Sequence, residues 1–513
     1  MSDFVVNNKK IAKNIVVLYI RMAFVMIVSF FTTRITLDIL GSDDYGLNNL
    51  VGGIVAMFSF INGSMGTAVQ RFYSIAIGES NIEKLKKIFG SGLYLHVIVA
   101  IITLLLAEFF AVFFIHKLNI PADRMYAAHV VFQLAIVSMC LNIINVPYSA
   151  LLRAREEFSI IAFADIITAV LRLLALYILT TIDYDKLILF AILNFLISLW
   201  NVGFLLIKAR KYEETRSSLC KDRTLMKEMI SFVSLLLFTV LSQVLRDHGL
   251  TILVNVYFGL ALNTAFAIAV QVSHVVTTFV LNFKQAIVPQ LMTAWGANNK
   301  GAVMSLITLG TKITFLLMLI FSMPIIFESN FILQIWLKEP PQYSDVLVSL
   351  AVISINISSY TYFLYQAVHA TGEIKQQQLW MTILYFLNIV LIFIAFEFGA
   401  TYSYAYIITI FIALSQCIVN IHNAKKYIQL SIYDFCINVT LRCLITAIIV
   451  AVLYYALTIS TDATWYRLVF GTLGNALLCL LLGYTVILNR EEKTKIKHKV
   501  INMITLGYNK IKQ

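Results

Sequence analysis

The chain has 513 residues, 60% hydrophobic and only 13% charged, with a formal net charge of +12. That composition leaves too few polar side chains to clothe a soluble core of this size, so a soluble enzyme or binding module is excluded. Apolar runs of about 20 residues recur from end to end, each long enough to cross a hydrocarbon layer of about 30 Å and too evenly apolar for a barrel. The expected fold class is all-α and polytopic.

The basic N-terminus "MSDFVVNNKKIAKN" leads into an apolar stretch too long for a signal peptide, which reads as an uncleaved first span. In chain order the predicted spans are 14–37, 47–70, 91–115, 127–149, 159–181 and 187–207. After a longer polar connection come 231–254, 263–285, 303–327, 345–368, 378–398 and 402–422, and a final pair, 437–457 and 465–488, makes fourteen. Six cysteines lie in spans or short basic connections without metal-ligand spacing, so neither a disulfide framework nor a metal site is implied.

Alternate connections differ sharply in charge. One set carries 28 Lys and Arg, and the other only Lys117, Arg124, Lys186 and Lys338. Cationic connections stay on the cytoplasmic side, so both termini are expected there. The net charge is thereby a topology signal, and nucleic acid need not be invoked. The tail "KTKIKHKVINMITLGYNKIKQ" sets Ile496, Val500, Ile504 and Ile511 at near-helical spacing among lysines, as in an amphipathic helix on an anionic leaflet.

The chain also repeats itself. A shift of 218 residues lays Gly41 on Gly259, Ala76 on Ala294, Gly78 on Gly296 and Asn81 on Asn299. A shift of 217 brings Tyr148, Ala150 and Glu156 onto Tyr365, Ala367 and Glu373. Six helices separate equivalent positions, an even number, so the two halves run in the same orientation. The expected organisation is a six-helix lobe over 1–210, a basic linker 211–230, a second lobe over 231–424, an added helix pair over 425–488 and a basic tail 489–513. Parallel repeats of this kind are the architecture of transporters that alternate access between two bundles.

Polar residues fall into stripes. On span 1, Arg21, Ser29, Thr32 and Thr36 share one face, while Arg34 lies elsewhere with Asp38 four residues on as its expected partner. Span 2 carries Asn62, Gly66, Thr67 and Gln70; span 7 carries Gln243 and Arg246; span 8 carries Gln271, His274, Thr278 and Asn282; span 9 carries Lys312. Ser, Thr and Gly stripes glue helices together, but a point charge in hydrocarbon is costly glue. Arg21, Arg246 and Lys312 are therefore expected to face a wet path, with Thr32, Asn62, Gln70, Gln243, Gln271, His274 and Asn282 as its lining. Arg71 and Lys284 stand at the cytoplasmic ends of spans 2 and 8 as candidate gate residues. Asp165 and Arg172, seven apart on span 5, are expected to neutralise each other.

The join "LDILGSDDYGLNNLVGGIVAMF", the stretch "QRFYSIAIGESNIEKL" and the turn "NVPYSALLRAREEF" resemble the polysaccharide-exporter branch of the multidrug/oligosaccharidyl-lipid/polysaccharide (MOP) superfamily. They are most similar to O-antigen and capsule-type flippases of MATE-like fold. The resemblance implies two six-helix lobes, a bacterial cytoplasmic membrane location, and a polyprenyl-diphosphate-linked oligosaccharide as substrate. It also implies cationic cavity residues for the diphosphate, in the manner of Arg21, Arg246 and Lys312, and glycosyltransferases or a glycan polymerase of the same pathway as partners. A guanidinium matches a diphosphate with paired, charge-assisted hydrogen bonds. No cofactor is implied, and the coupling ion, Na⁺ or H⁺, stays open. The alternative is a cation-coupled multidrug exporter of the same fold, which needs cavity carboxylates that spans 1, 2 and 8 lack at mid-span. A membrane enzyme is disfavoured, because no connection carries a nucleophile–base arrangement.

Overall fold

The computed structural model describes residues 7–56, 59–114, 121–216, 222–489 and 492–493. The expected amphipathic tail, from residue 494 on, lies outside them. In hydrocarbon every backbone N–H and C=O must be satisfied within its own segment, so the apolar runs become helices. No strand occurs among the described residues.

The helices are α1 (Asn8–Ala56), α2 (Ser59–Gly78), α3 (Ile82–Phe114), α4 (Met125–Ala154), α5 (Phe158–Thr181) and α6 (Lys186–Ala209). They continue with α7 (Arg223–Gly296), α8 (Lys300–Leu337), α9 (Ser344–Tyr360), α10 (Tyr362–Thr371), α11 (Lys375–Glu397) and α12 (Tyr404–Ile428). Last come α13 (Ile432–Phe435), α14 (Arg442–Ser460) and α15 (Trp465–Leu482), with π turns at Cys436–Leu441 and Gly483–Ile487. Among the described residues twelve helical segments are long and apolar enough to span a bilayer. One of them, the 74-residue α7, would be about 110 Å long if straight, and it breaks at Gly259 into two membrane lengths. Fourteen spans were expected; among the described residues there are these twelve segments, one of them double-length.

The repeat is visible in backbone detail. Gly41 (φ 74, ψ 174) and Gly259 (φ 79, ψ −176) make the same positive-φ break, open to glycine alone at little cost. At the ends of α2 and α7 the same cap recurs with a 218-residue offset. Ser80 and Asn298 both sit at φ 54, and the amides of Asn81 and Asn299 donate to the carbonyls of Ala76 and Ala294 at 3.1 and 3.0 Å. The side chains of Asn81 and Asn299 then cap Lys84 and Ala302, each at 2.9 Å. The second offset slips by one residue: the left-handed residues after α4 and α10 are Glu156 and Gly372, 216 apart.

Two compact units result, Met1–Val240 with Gln285–Val303, and Leu241–Lys284 with Met304–Gln513. The first is built around α4, whose Ala128, Phe132 and Ile136 are fully buried with Leu187 of α6 and Ala107 of α3. The core of the second joins Val254 and Ala265 of α7 to Val352 of α9 and Ile392 of α11.

The added pair α14–α15 lies along α8 in the second unit and is pinned there at three levels eight residues apart. Lys312, fully buried, gives its ammonium to Glu492 at 2.8 and 3.1 Å. Pro324 has no N–H for the carbonyl of Ile320, and Asn475 of α15 donates to that oxygen instead, at 3.0 Å. Glu328, buried where α8 leaves helical geometry, is paired with Arg467 of α15 at 2.5 Å.

Candidate functional site

The first unit carries a cationic cluster where α1, α2, α4 and α5 pack together. Asp165 of α5 lies 2.9 Å from Nε of Arg21, an ion pair by distance although the N–H is not aimed as a hydrogen bond. Arg153 and Arg172 also stand within electrostatic reach of Asp165, and Arg153 within reach of Arg21. Three guanidinium groups thus face one carboxylate, and the locality is net positive. The expected mutual neutralisation of Asp165 and Arg172 is corrected: Asp165 pairs with Arg21, and Arg172 is exposed. Arg34 and Asp38 form no ion pair, both being exposed.

Arg153 is the residue that sequence reasoning missed, because its place in "LLRAREEF" made it look like a loop charge. It belongs to the last turn of α4, and its Nη1 lies 3.7 Å from where a Cβ on Gly66 of α2 would stand. Among the described residues its side chain has no carboxylate at ion-pair distance and no hydrogen bond. Its neighbour Arg155 differs completely, clamped on Glu214 at 2.7 Å and stacked over Tyr212. Five N–H donors left without protein partners suit water or an anion. Asn62, one helical turn before Gly66, keeps a buried and unpartnered Oδ1. No local pattern in the sequence sets Arg153 opposite Gly66.

The other expected cations of the diphosphate site are neutralised. Arg246 makes two bonds to Asp247, at 2.6 and 2.9 Å, and lies over the ring of Tyr385. Adjacent helical residues do not normally face each other, but the long arginine stem reaches back. Lys312 is corrected from cavity cation to structural pin, since its ammonium is fully buried against Glu492, 180 positions away. Arg71 is buried with its guanidinium over Phe72 and Phe232, and Lys284 is buried with its ammonium over Tyr362.

The expected lining residues divide by exposure. Gln243, Gln271 and His274 are exposed, and Gln70 is half-buried. Thr32 donates to the carbonyl of Ser29, and Asn282 is buried with its amide on the carbonyl of Thr278. Local bonds of that kind satisfy a polar group inside its own helix and leave less of it for a ligand.

Comparison with known proteins agrees with this architecture. Residues 14–178 match the MatE family model. No curated protein matches the chain. Among solved structures, a MATE mutant is similar with a TM-score of 0.70 and 14% identity, covering 81% of this chain and 96% of its own. A MOP superfamily transporter from Pyrococcus furiosus, described as having a binding pocket of reverse polarity that suggests a different function, has a TM-score of 0.66 at 14% identity, with 81% and 96% covered. An outward-facing multidrug resistance MATE transporter has a TM-score of 0.63 at 14% identity, with 81% and 94% covered. What these likenesses establish is the MATE-like fold.

Proposed function

We propose that the protein is a transporter that moves an anionic amphiphile, a polyprenyl diphosphate bearing a short glycan, across the bacterial cytoplasmic membrane by alternating access. The glycan then enters a surface polysaccharide such as lipopolysaccharide or capsule. The observation that carries the reading is the cluster of Arg21, Arg153 and Arg172 around a single carboxylate, with Arg153 unpaired among the described residues. A net positive site in a low-dielectric setting favours an anion and repels the cationic drugs a multidrug exporter handles. For the Pyrococcus furiosus neighbour, too, a binding pocket of reverse polarity is described as suggesting a different function. A cleft of about 580 Å³ between α14 and α15, lined by Leu453, Leu457, Phe470 and Leu478, offers an apolar place for a prenyl tail.

The second reading, a cation-coupled multidrug exporter, rests on Asp165, 35% exposed, and on the multidrug neighbour. Titration of the detergent-purified protein with geranyl diphosphate and with a quaternary ammonium dye separates the two. The diphosphate is expected to bind, more weakly at high salt and more weakly still in Arg153→Gln. Binding of the dye alone would overturn the proposal.

A further inference from the structure

Three stretches of the second unit meet in a cluster of aromatic rings: the break of α7 at Gly259, the entry to α9, and the turn between α11 and α12. Tyr343 and Tyr402 stack with ring centres 4.6 Å apart and planes 31° from parallel. Phe258 stands edge-on to Tyr402 at 6.5 Å and edge-on to Phe396 at 4.9 Å, and Phe396 is buried in the core of the unit. The core thus supports the stack through Phe258, while Tyr343 stays 42% exposed.

Polar groups gather beside the rings. Tyr343 and Asp345 both stand within electrostatic reach of the Tyr402 phenol, and the exposed Glu397 accepts a hydrogen bond from Tyr257. The backbone is bent to place Tyr343. It is the N-cap of α9 at φ 67, a left-handed conformation costly for a bulky residue, and its side chain caps nothing. Glycine or asparagine would suit that position better, so what tyrosine contributes there is its ring. Belt tyrosines at a membrane surface lie against lipid, whereas the carboxylates of Asp345 and Glu397 keep this patch in water.

We propose that the Tyr343–Tyr402 stack is a carbohydrate platform that takes uncharged sugar rings of the cargo on the outer side of the membrane. The proposal rests on the transport reading above, in which the sparsely charged connections are the outer ones. The three stretches that meet here carry Lys338 as their only basic residue. A pyranose ring offers a face of C–H groups that covers an aromatic face. Its hydroxyls donate to the Asp345 carboxylate and exchange hydrogen bonds with the phenols. Carboxylates repel a phosphate, so the diphosphate belongs with the arginines of the first unit and the platform reads the glycan.

Two ligands test the platform and the transport reading separately. The repeat-unit oligosaccharide, released by mild acid from the source cells' surface polysaccharide, carries no diphosphate, and geranyl diphosphate carries no sugar. Each is titrated into the full chain by saturation-transfer NMR, in a detergent without a sugar headgroup. Wild type is expected to bind the oligosaccharide, and Tyr343→Gly to bind it about three- to tenfold more weakly, the loss of one aromatic stack. Glycine relieves the left-handed φ, so this variant is expected to melt no lower than wild type and to bind geranyl diphosphate unchanged. Tyr343→Phe keeps the ring and is expected to bind the oligosaccharide more tightly than Tyr343→Gly; an equal loss in both overturns the stacking. Oligosaccharide binding that is the same in wild type and Tyr343→Gly, or absent while geranyl diphosphate binds, overturns the platform and leaves the transport reading standing. Oligosaccharide binding lost in Tyr343→Gly, with no geranyl diphosphate binding in wild type, supports the platform and counts against the diphosphate. Binding of neither ligand overturns both.

Discussion

Replacing Arg467 with methionine isolates the outermost pin between α15 and α8. Its guanidinium holds Glu328 at 2.5 Å and also donates to the carbonyls of Thr458, at 3.2 Å, and of Thr461. The Glu328 side chain is 1% exposed and that of Arg467 10%, so water replaces neither partner. Removing one member of a buried pair leaves an uncompensated charge, a loss of about 3–5 kcal/mol. The lost carbonyl bonds add about 1 kcal/mol each. Combining Arg467→Met with Glu328→Gln removes the stranded charge and is expected to recover about half the loss, since replacing a whole pair is often near neutral. Denaturant unfolding in one detergent, monitored by tryptophan fluorescence, gives both values. A single variant no less stable than the double variant would refute the claim that Glu328 depends on Arg467.

Asn475→Leu strips the donor from the Ile320 carbonyl that Pro324 leaves open, and the same unfolding assay is expected to show a loss of about 1–3 kcal/mol. Glu157, in the turn after α4, gives a pH signature. Burial pushes its carboxyl up, but hydrogen bonds from Tyr212 and Lys211 outweigh that and hold it below the usual 4.5. A depressed carboxylate stabilises the fold above its unfolded pKa and loses that contribution as pH falls through its folded value. Glu157→Gln is therefore expected to be less stable than wild type at pH 7, with the gap closing below about pH 4.5. Arg124 joins Asp44 and Asp185 in the first unit, so Arg124→Gln is expected to lower the melting temperature while leaving geranyl diphosphate binding unchanged.

Much of the fold was legible in the sequence because a bilayer permits so few solutions. Long apolar runs must be helical, and an offset of 218 residues between glycines reappears as matching breaks and caps. The site was legible only in kind. That Arg21 would face a wet path was read from its polar stripe, but its carboxylate partner comes from span 5, and helical periodicity does not say which helix faces which. Lys312 looked like a cavity cation because Glu492 is 180 positions away, beyond any local pattern. Arg153 was hidden by its boundary position, where an arginine facing solvent and one turned toward Gly66 read alike. Gly78 and Gly296 were found as equivalent positions, yet that their backbones meet the facing helix is a tertiary fact.

The central claim is that an anion is the cargo. In proteoliposomes, movement of a fluorescent prenyl-diphosphate glycan between leaflets should require the protein and should fall at least about tenfold in Arg153→Gln, the loss of roughly one charge-assisted contact. A quaternary ammonium dye should not be moved. Transport of the dye, with the glycolipid left in its original leaflet, would contradict the account.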